Sequence, residues 1–388
     1  MKDVELYLHI PFCVRKCEYC DFLSSPAGRE VQRAYKEALK REIRCFEPEE
    51  AYRVVTVFFG GGTPSLLPEE WIGELMETLR DKFSFAPDAE ISIECNPGTA
   101  DEKKLCAYRQ AGINRLSIGL QSADDRELAL LGRIHTWKDF CRTYEAARGA
   151  GFSNINVDLM SALPMQTEES WERTLRSVLA YRPEHISAYS LIIEEGTPFY
   201  EKYAADDERR SSGECPEFLP NEEAERRMYE RTKQLLLQAG MHRYEISNYA
   251  KDGYECRHNR GYWQGVPYIG FGLGAASLMD DIVLGKRVRY KKTDSLDAYL
   301  SGDFEQKDRQ LLTQEEEMEE FMFLGLRLTE GVSVSQFERR FGKSVNAVYG
   351  KVLKRQQELG LLKKCGERIF LTPRGMDVSN MVMAEFLL

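Results

Sequence analysis

The chain has 388 residues, 43% hydrophobic and 30% charged, a balance that excludes pervasive disorder and allows two or three domains. With 53 Lys and Arg against 63 Asp and Glu the net charge is −10, which excludes indiscriminate nucleic-acid binding through a global basic field. Asp3 and Glu5 interrupt any apolar run at the N-terminus, and the uncharged run 261–279 is broken by glycines and Pro267, so neither a secretory signal nor a membrane helix is expected and the cytoplasm is the expected location.

In chain order, apolar β-branched runs predict strands at Val4–Ile10, Val54–Phe59, Glu90–Glu94, Arg115–Leu120, Ile155–Leu159 and Ile186–Ile193. Helical patterns lie between them at Arg29–Cys45, Pro68–Lys82, Asp101–Gln110, Trp137–Arg148 and Glu168–Ala180. Such alternation predicts an α/β fold with a parallel sheet covered by helices, either doubly wound or a barrel. The strand ends read HIPFC, GGGTP, ECNPG, GLQS and DLMSALP, polar and glycine-rich where barrels of this kind carry their chemistry. Residues 201–223 turn highly charged and read as an exposed, mobile excursion. A helix at 222–239 and a strand at 242–247 follow, then an aromatic and glycine-rich stretch. From about 305 the pattern is helices at 313–326, 333–341 and 345–359, short strands near 362–364 and 368–371, and a last helix, a winged-helix-like module.

Ten cysteines in a reducing compartment do not make a disulfide framework. Seven are scattered and by default are small buried hydrophobes. Cys13, Cys17 and Cys20 fall within eight residues, directly after the first strand. Three thiolates need a fourth ligand for a zinc site, such as His9 or a distant cysteine. They suffice for three irons of a [4Fe–4S] cube, leaving the fourth iron open to chelate S-adenosylmethionine. Gly60-Gly61-Gly62-Thr63 ends the second predicted strand, where backbone must approach something closely or take positive φ. Glu94 ends the third, where its carboxylate can accept ribose hydroxyls or simply face solvent.

The Cys-x3-Cys-x2-Cys spacing after a first strand is the signature of the radical S-adenosylmethionine superfamily, and Tyr19 beside Cys20 fits it. YLHIPFC (7–13), FFGGGTPS (58–65), IECNPGT (93–99), NRLSIGLQS (114–122), LGRIHT (131–136), NVDLMSALP (156–164), YSLIIEEGTP (189–198) and YEISNYA (244–250) resemble one branch, the HemN coproporphyrinogen dehydrogenases and the HemW haem chaperones. The resemblance implies a partial (β/α)6 barrel with a β-extension and a C-terminal winged-helix-like module. Its boundaries would be 1–300 (core 1–200, extension 201–300) and 301–388. HemN enzymes bind two S-adenosylmethionine molecules. By resemblance Tyr7, Gly61, Glu94 and Ala276 would contact the cluster-bound one, and Tyr19, Gly62, Thr63, Gln121, Arg133 and Asp158, with Ile192, the second. Asp158 and Arg133 could instead form a structural ion pair.

Three features separate the chain from the decarboxylases. The cysteine that HemN carries two residues after the third is Phe22, only Met1–Leu6 precede Tyr7, and His258-Asn259-Arg260-Gly261-Tyr262-Trp263 matches the HNxxYW motif of HemW proteins. An imidazole is a common haem ligand, and Tyr262 and Trp263 offer flat apolar area to a porphyrin. A His beside aromatics can equally be a packed, hydrogen-bonded residue. Cys256 is read as core, Cys215-Pro216 as incidental, and Gly270-x-Gly272 lacks the strand context of a dinucleotide fingerprint. The expected function is a haem chaperone that passes haem to acceptor apoproteins such as respiratory enzymes, carrying a [4Fe–4S] cluster and S-adenosylmethionine. It would contact no nucleic acid, would meet the membrane only through partners, and could form a homodimer. An oxygen-independent coproporphyrinogen III oxidase is the alternative. A regulator using the winged module would need a more basic helix than Lys351, Lys354 and Arg355 provide.

Overall fold

The first strand already carries the architecture. In β1 (Lys2–Ile10), Val4, Leu6, Leu8 and Ile10 alternate with Glu5, Tyr7 and His9, so one face is apolar and the other polar. The computed structural model, which describes residues 1–47, 51–281 and 283–388, puts the apolar face against α1 (Arg29–Cys45), where Tyr35, Leu39 and Ile43 are buried. The polar face looks into the concave side of a curved sheet.

Five further strands repeat the arrangement: β2 (Tyr52–Gly61), β3 (Ser84–Cys95), β4 (Arg115–Gln121), β5 (Ile155–Ser161) and β6 (His185–Ser190). Each pairs in parallel with the next. The helices α2 (Glu69–Lys82), α3 (Glu102–Ala111), α4 (Asp125–Leu130), α5 (Trp137–Gly149) and α6 (Glu168–Leu179) form the crossovers. Capping boxes at Thr136–Asp139 and Thr167–Ser170 fix where α5 and α6 begin. This is the predicted partial (β/α)6 barrel. Beyond it come α7 (Pro198–Ser211), α8 (Glu222–Gln238), β7 (His242–Arg243), β8 (Asn248–Ala250), α9 (Arg257–Gln264), β9 (Tyr268–Phe271), β10 (Ala276–Asp281), β11 (Lys286–Lys291), α10 (Leu296–Ser301) and β12 (Lys307–Leu311). The sheet order is β12-β11-β10-β9-β1-β2-β3-β4-β5-β6-β8-β7, so β6 and β1 do not meet and the barrel stays open.

The C-terminal module contains α11 (Gln314–Gly325), β13 (Val332–Ser333), α12 (Val334–Phe341), α13 (Val345–Glu358), β14 (Leu362–Cys365), β15 (Arg368–Leu371), α14 (Pro373–Asp377) and α15 (Ser379–Ala384). Its antiparallel sheet, β13-β15-β14, packs with Met322, Phe337, Tyr349 and Ile369 in a core of its own. Arg327 lies over the Trp263 ring at 4.2 Å and Arg260 pairs with Glu330, tying α9 to this module.

Three expectations need correction. The stretch 201–223 is mostly exposed, as expected, but its first half is helical: Thr197 caps α7 through the Tyr200 N–H, and Pro198 opens it. The buried Asp206 carboxylate then accepts the N–H groups of Glu217, Phe218 and Leu219, which fastens the following turn back onto α7. The strand expected at Ile186–Ile193 ends at Ser190. Of the seven scattered cysteines only Cys95 and Cys256 are buried, while Cys45, Cys215 and Cys365 are exposed. Cys45 is the last residue of α1 and Cys365 ends β14, positions where the chain turns toward solvent.

Candidate functional site

The cluster loop is held by its own backbone. Phe12 and Ser25 form an isolated parallel bridge, with Cys13 N–H donating to Ser25 O and Ser25 N–H to Pro11 O. The three thiols are free and half-buried, and burial pushes the Cys20 thiol upward while the Phe22 N–H draws it back. Beneath the loop, Gly62 N–H and Thr63 N–H bond Ile10 O and Phe12 O. A side chain at Gly62 would meet Phe12 O at 2.7 Å, and Gly61 has φ +113° with the His9 ring 2.6 Å from where a Cβ would lie. Only glycine fits either position. Among the described residues no three His, Cys, Asp or Glu side chains converge as ligands of a single ion. A cube takes one thiolate per iron, so three thiols spaced around a pinned loop fit it.

Two of the cysteines are joined by a ring of hydrogen bonds. Cys13 Sγ lies 3.6 Å from Thr63 Oγ1, which accepts from Asn96 Nδ2. Asn96 Oδ1 accepts from Arg133, whose other nitrogen points at Cys17 Sγ at 3.6 Å, and Arg133 also donates to Gly119 O. Donors aimed at cluster sulfurs are one means by which a protein sets a cluster's potential. Asn96 escaped the sequence reading, although it lies within the IECNPGT block; its side chain matters because Thr63 and Arg133 need a two-sided partner between them.

Deeper in the barrel, register pairs stack the lumen into layers. Glu5, Thr56 and Glu90 pair across β1–β3, then Tyr7, Phe58, Ser92 and Arg115, then Glu94, Ser117, Asn156 and His185. A cavity of about 200 Å³ is lined by Tyr7, Phe58, Glu94, Arg115, Asp158 and His258, among others. Gly61 N–H donates to Glu94. Burial first, then Asp158, pushes Glu94 up to about 8, against the pull of Gly61 and Arg115. Asp158 takes bonds from Ser117 and Asn156.

The structure thus groups the predicted residues differently. Tyr7, Gly61 and Glu94 do come together. Asp158 faces their cavity rather than the Thr63–Arg133 ring, and it does not pair with Arg133. Tyr19 stays with that ring: it bonds the Arg133 side chain beside Cys17 and Cys20 while its own ring packs toward Phe199 of α7. Gln121 ends β4 with φ +76°. Ala276 stands exposed at the start of β10, outside the cavity lining, and Ile192 is exposed in the loop after β6.

His258 is the largest departure from expectation. It opens α9, which lies inside the barrel with its N-terminal N–H groups, at Arg257 and His258, donating to the Glu90 carboxylate, a favourable meeting of anion and helix dipole. The imidazole is 1% exposed. Its Nδ1 meets Thr56 Oγ1 at 2.6 Å and its Nε2 meets Tyr262 Oη at 2.9 Å, and Phe58 stacks on it at 5.2 Å. Burial, with Arg115 nearby, pushes it down to about 3. The ring is therefore neutral at pH 7 but offers no free nitrogen, and the adjoining cavity is below the ~300 Å³ of the smallest usual ligand clefts. In this conformation His258 cannot ligate haem. Gly261 makes the close docking possible, since any side chain there would overlap the buried Glu5 carboxylate. Gly261→Ala is expected to cost about 1–3 kcal/mol of stability, read as a lower urea midpoint; an unchanged midpoint would show that Glu5 moves aside freely.

A family model described as the radical SAM superfamily matches residues 7–178, and the HemN C-terminal domain matches residues 312–378. The heme chaperone HemW of Bacillus subtilis is 36% identical over 98% of this chain and 98% of its own. HemW of Escherichia coli is 34% identical over 100% of this chain and 99% of its own. The solved structure of coproporphyrinogen III oxidase (HemN) from Escherichia coli superposes with a TM-score of 0.82 at 25% identity, covering 100% of this chain and 90% of that one. With a pinned three-cysteine loop, a layered polar barrel and full-length relatives of this kind, the chain belongs to the HemW family of the radical SAM superfamily.

Proposed function

We propose that this protein is a haem chaperone, which holds haem and passes it to acceptor apoproteins, with a [4Fe–4S] cluster on Cys13, Cys17 and Cys20 and S-adenosylmethionine beside it. The full-length relationship to proteins named heme chaperone carries the reading. When bound, the cluster and S-adenosylmethionine supply one-electron chemistry. The chain's own residues do the rest: Gly61 and Gly62 let the backbone pass close against His9 and Phe12 under the cluster loop, and Glu94 and Asp158 would accept ribose hydroxyls. As Glu94 ionises, it becomes the stronger acceptor. Affinity for S-adenosylmethionine is therefore expected to rise as pH is raised from about 7 to about 9 through the Glu94 value near 8, and this rise should vanish in Glu94→Gln. Equilibrium dialysis across that range checks it.

The alternative, coproporphyrinogen decarboxylation, is disfavoured by position 22. The Phe22 ring is 65% exposed at the mouth of the cluster loop, where it can neither relay an electron nor donate a hydrogen atom as a thiol can. One anaerobically reconstituted sample should be titrated with haem and assayed with coproporphyrinogen, S-adenosylmethionine and reductant. Haem binding without protoporphyrinogen is the expected result. Turnover comparable to a genuine decarboxylase would replace the chaperone reading with the alternative.

A further inference from the structure

Helix α9 ends at Gly265 in the left-handed conformation, with φ +68°. Beside that end lies a cleft of about 740 Å³ between the β10–β11 hairpin and the C-terminal module, lined by Pro267, Asp280, Arg287, Leu312, Arg340 and Phe341, among others. It has the size of a cofactor cleft, which the lumen cavity beside His258 does not. Two guanidinium groups converge here: a side chain at Gly265 would have Arg287 Nη1 and Arg340 Nη1 each 3.5 Å from its Cβ. Arg287 spends its Nε on Asp280 and its Nη2 on Gly265 O, and Arg340 spends its Nη2 on Glu317. Among the described residues neither Nη1 has a hydrogen-bond partner. Asp280 is shared between Arg287 and Lys2, and Asp281 is held by Arg309. Burial first, then Arg340, holds the Arg287 guanidinium below its ordinary value, against Asp280 and Glu317. Arg287 is 7% exposed, so water and salt screen this repulsion poorly. Apolar area is at hand too: Leu312 and Phe341 belong to the wall, and Val283 and Leu284 stand exposed at the hairpin turn beside Gly285, another lining residue.

We propose that this cleft seats haem, with its two propionates on Arg287 and Arg340 and its ring over Pro267, Leu312 and Phe341. The inference deepens the haem-chaperone reading and rests on it. A guanidinium fork matches a carboxylate, and two forks around one turn match a ligand with two carboxylates on one edge. A phosphate would satisfy the forks but leave the apolar wall and most of the volume unfilled. None of the lining residues is His, Met, Cys or Tyr, the usual axial ligands, so the cleft grips the propionates and leaves the iron for an acceptor to capture. Lys2 lines the cleft and begins β1, while the cluster loop follows the other end of that nine-residue strand, roughly 25 Å away. Cargo held there is kept apart from the one-electron chemistry of the cluster.

The test titrates the full chain, reconstituted anaerobically, with haem and with haem dimethyl ester, followed by Soret absorbance, with iron and sulfide content reporting an intact fold. In the parent chain the ester is expected to bind about tenfold or more weakly than haem. Arg340→Gln is expected to weaken haem binding about tenfold, to leave ester binding at the parent level and to keep its full iron and sulfide. Parent-like haem affinity in Arg340→Gln overturns the proposal, as does an ester that binds the parent as tightly as haem. Should Arg340→Gln fail to load its cluster, the comparison of haem with its ester in the parent chain decides alone. A parent chain that takes up no haem overturns the haem-chaperone reading and this inference with it. A parent that binds haem, with Arg340→Gln unchanged, overturns the cleft alone.

Discussion

A Cys17→Ala, Cys20→Ala protein, reconstituted anaerobically with iron and sulfide, should hold essentially no cluster, against about four irons and four sulfides in the parent chain. Cys13 would remain, 3.6 Å from Thr63, but one thiolate cannot retain a cube. The other seven cysteines lie outside the loop: Cys95 and Cys256 are buried, Cys106 on α3 and Cys141 on α5 are half-buried, and Cys45, Cys215 and Cys365 are exposed. Since backbone bonds at Phe12, Cys13 and Ser25 hold the loop, the double variant should fold with an unchanged circular dichroism spectrum. A full complement of iron and sulfide in that folded variant would defeat the assignment.

His258→Ala addresses the cargo. If His258 serves as the axial ligand in a haem-loaded state, the variant's Soret band shifts or weakens while its iron–sulfur content stays unchanged. For that ligation only the coordinating nitrogen must be freed, from Thr56 at Nδ1 or from Tyr262 at Nε2, while the other can keep its bond. Tyr262→Phe removes one of those bonds and keeps the imidazole. It should therefore speed haem uptake, followed by stopped-flow absorbance, without altering the final spectrum. An unaltered spectrum and affinity in His258→Ala would place the haem ligand elsewhere and leave His258 as part of the lumen floor.

The contrast between these two sites shows what a sequence makes legible. The cluster cysteines are local: their spacing and the strand before them lie within 20 residues. Alternation did the same for the barrel strands, because Glu5-Leu6-Tyr7-Leu8-His9 distributes polar and apolar side chains with the period of a strand. The position of His258 is set by Thr56 and Glu90, some two hundred and one hundred and seventy residues away, and no local pattern encodes such a meeting. Asn96 and Arg115 are hidden for the same reason. Helix α7 is a different case. Its start was written in Thr197-Pro198, an N-cap followed by a first-turn proline, and the charged composition after it drew attention to exposure instead.

The pinned ends of the cluster loop bear on the order of assembly. A metal site that exists only in the folded holo form must spend metal-binding energy on organising the chain, as zinc fingers do. Here the ring from Cys13 through Thr63, Asn96 and Arg133 to Cys17 is made of protein atoms alone, and Gly61 beneath it holds φ +113°. Much of the order around the cluster therefore comes from contacts the chain makes with itself, so removal of iron and sulfide is expected to leave the circular dichroism spectrum unchanged and to be reversed by their resupply.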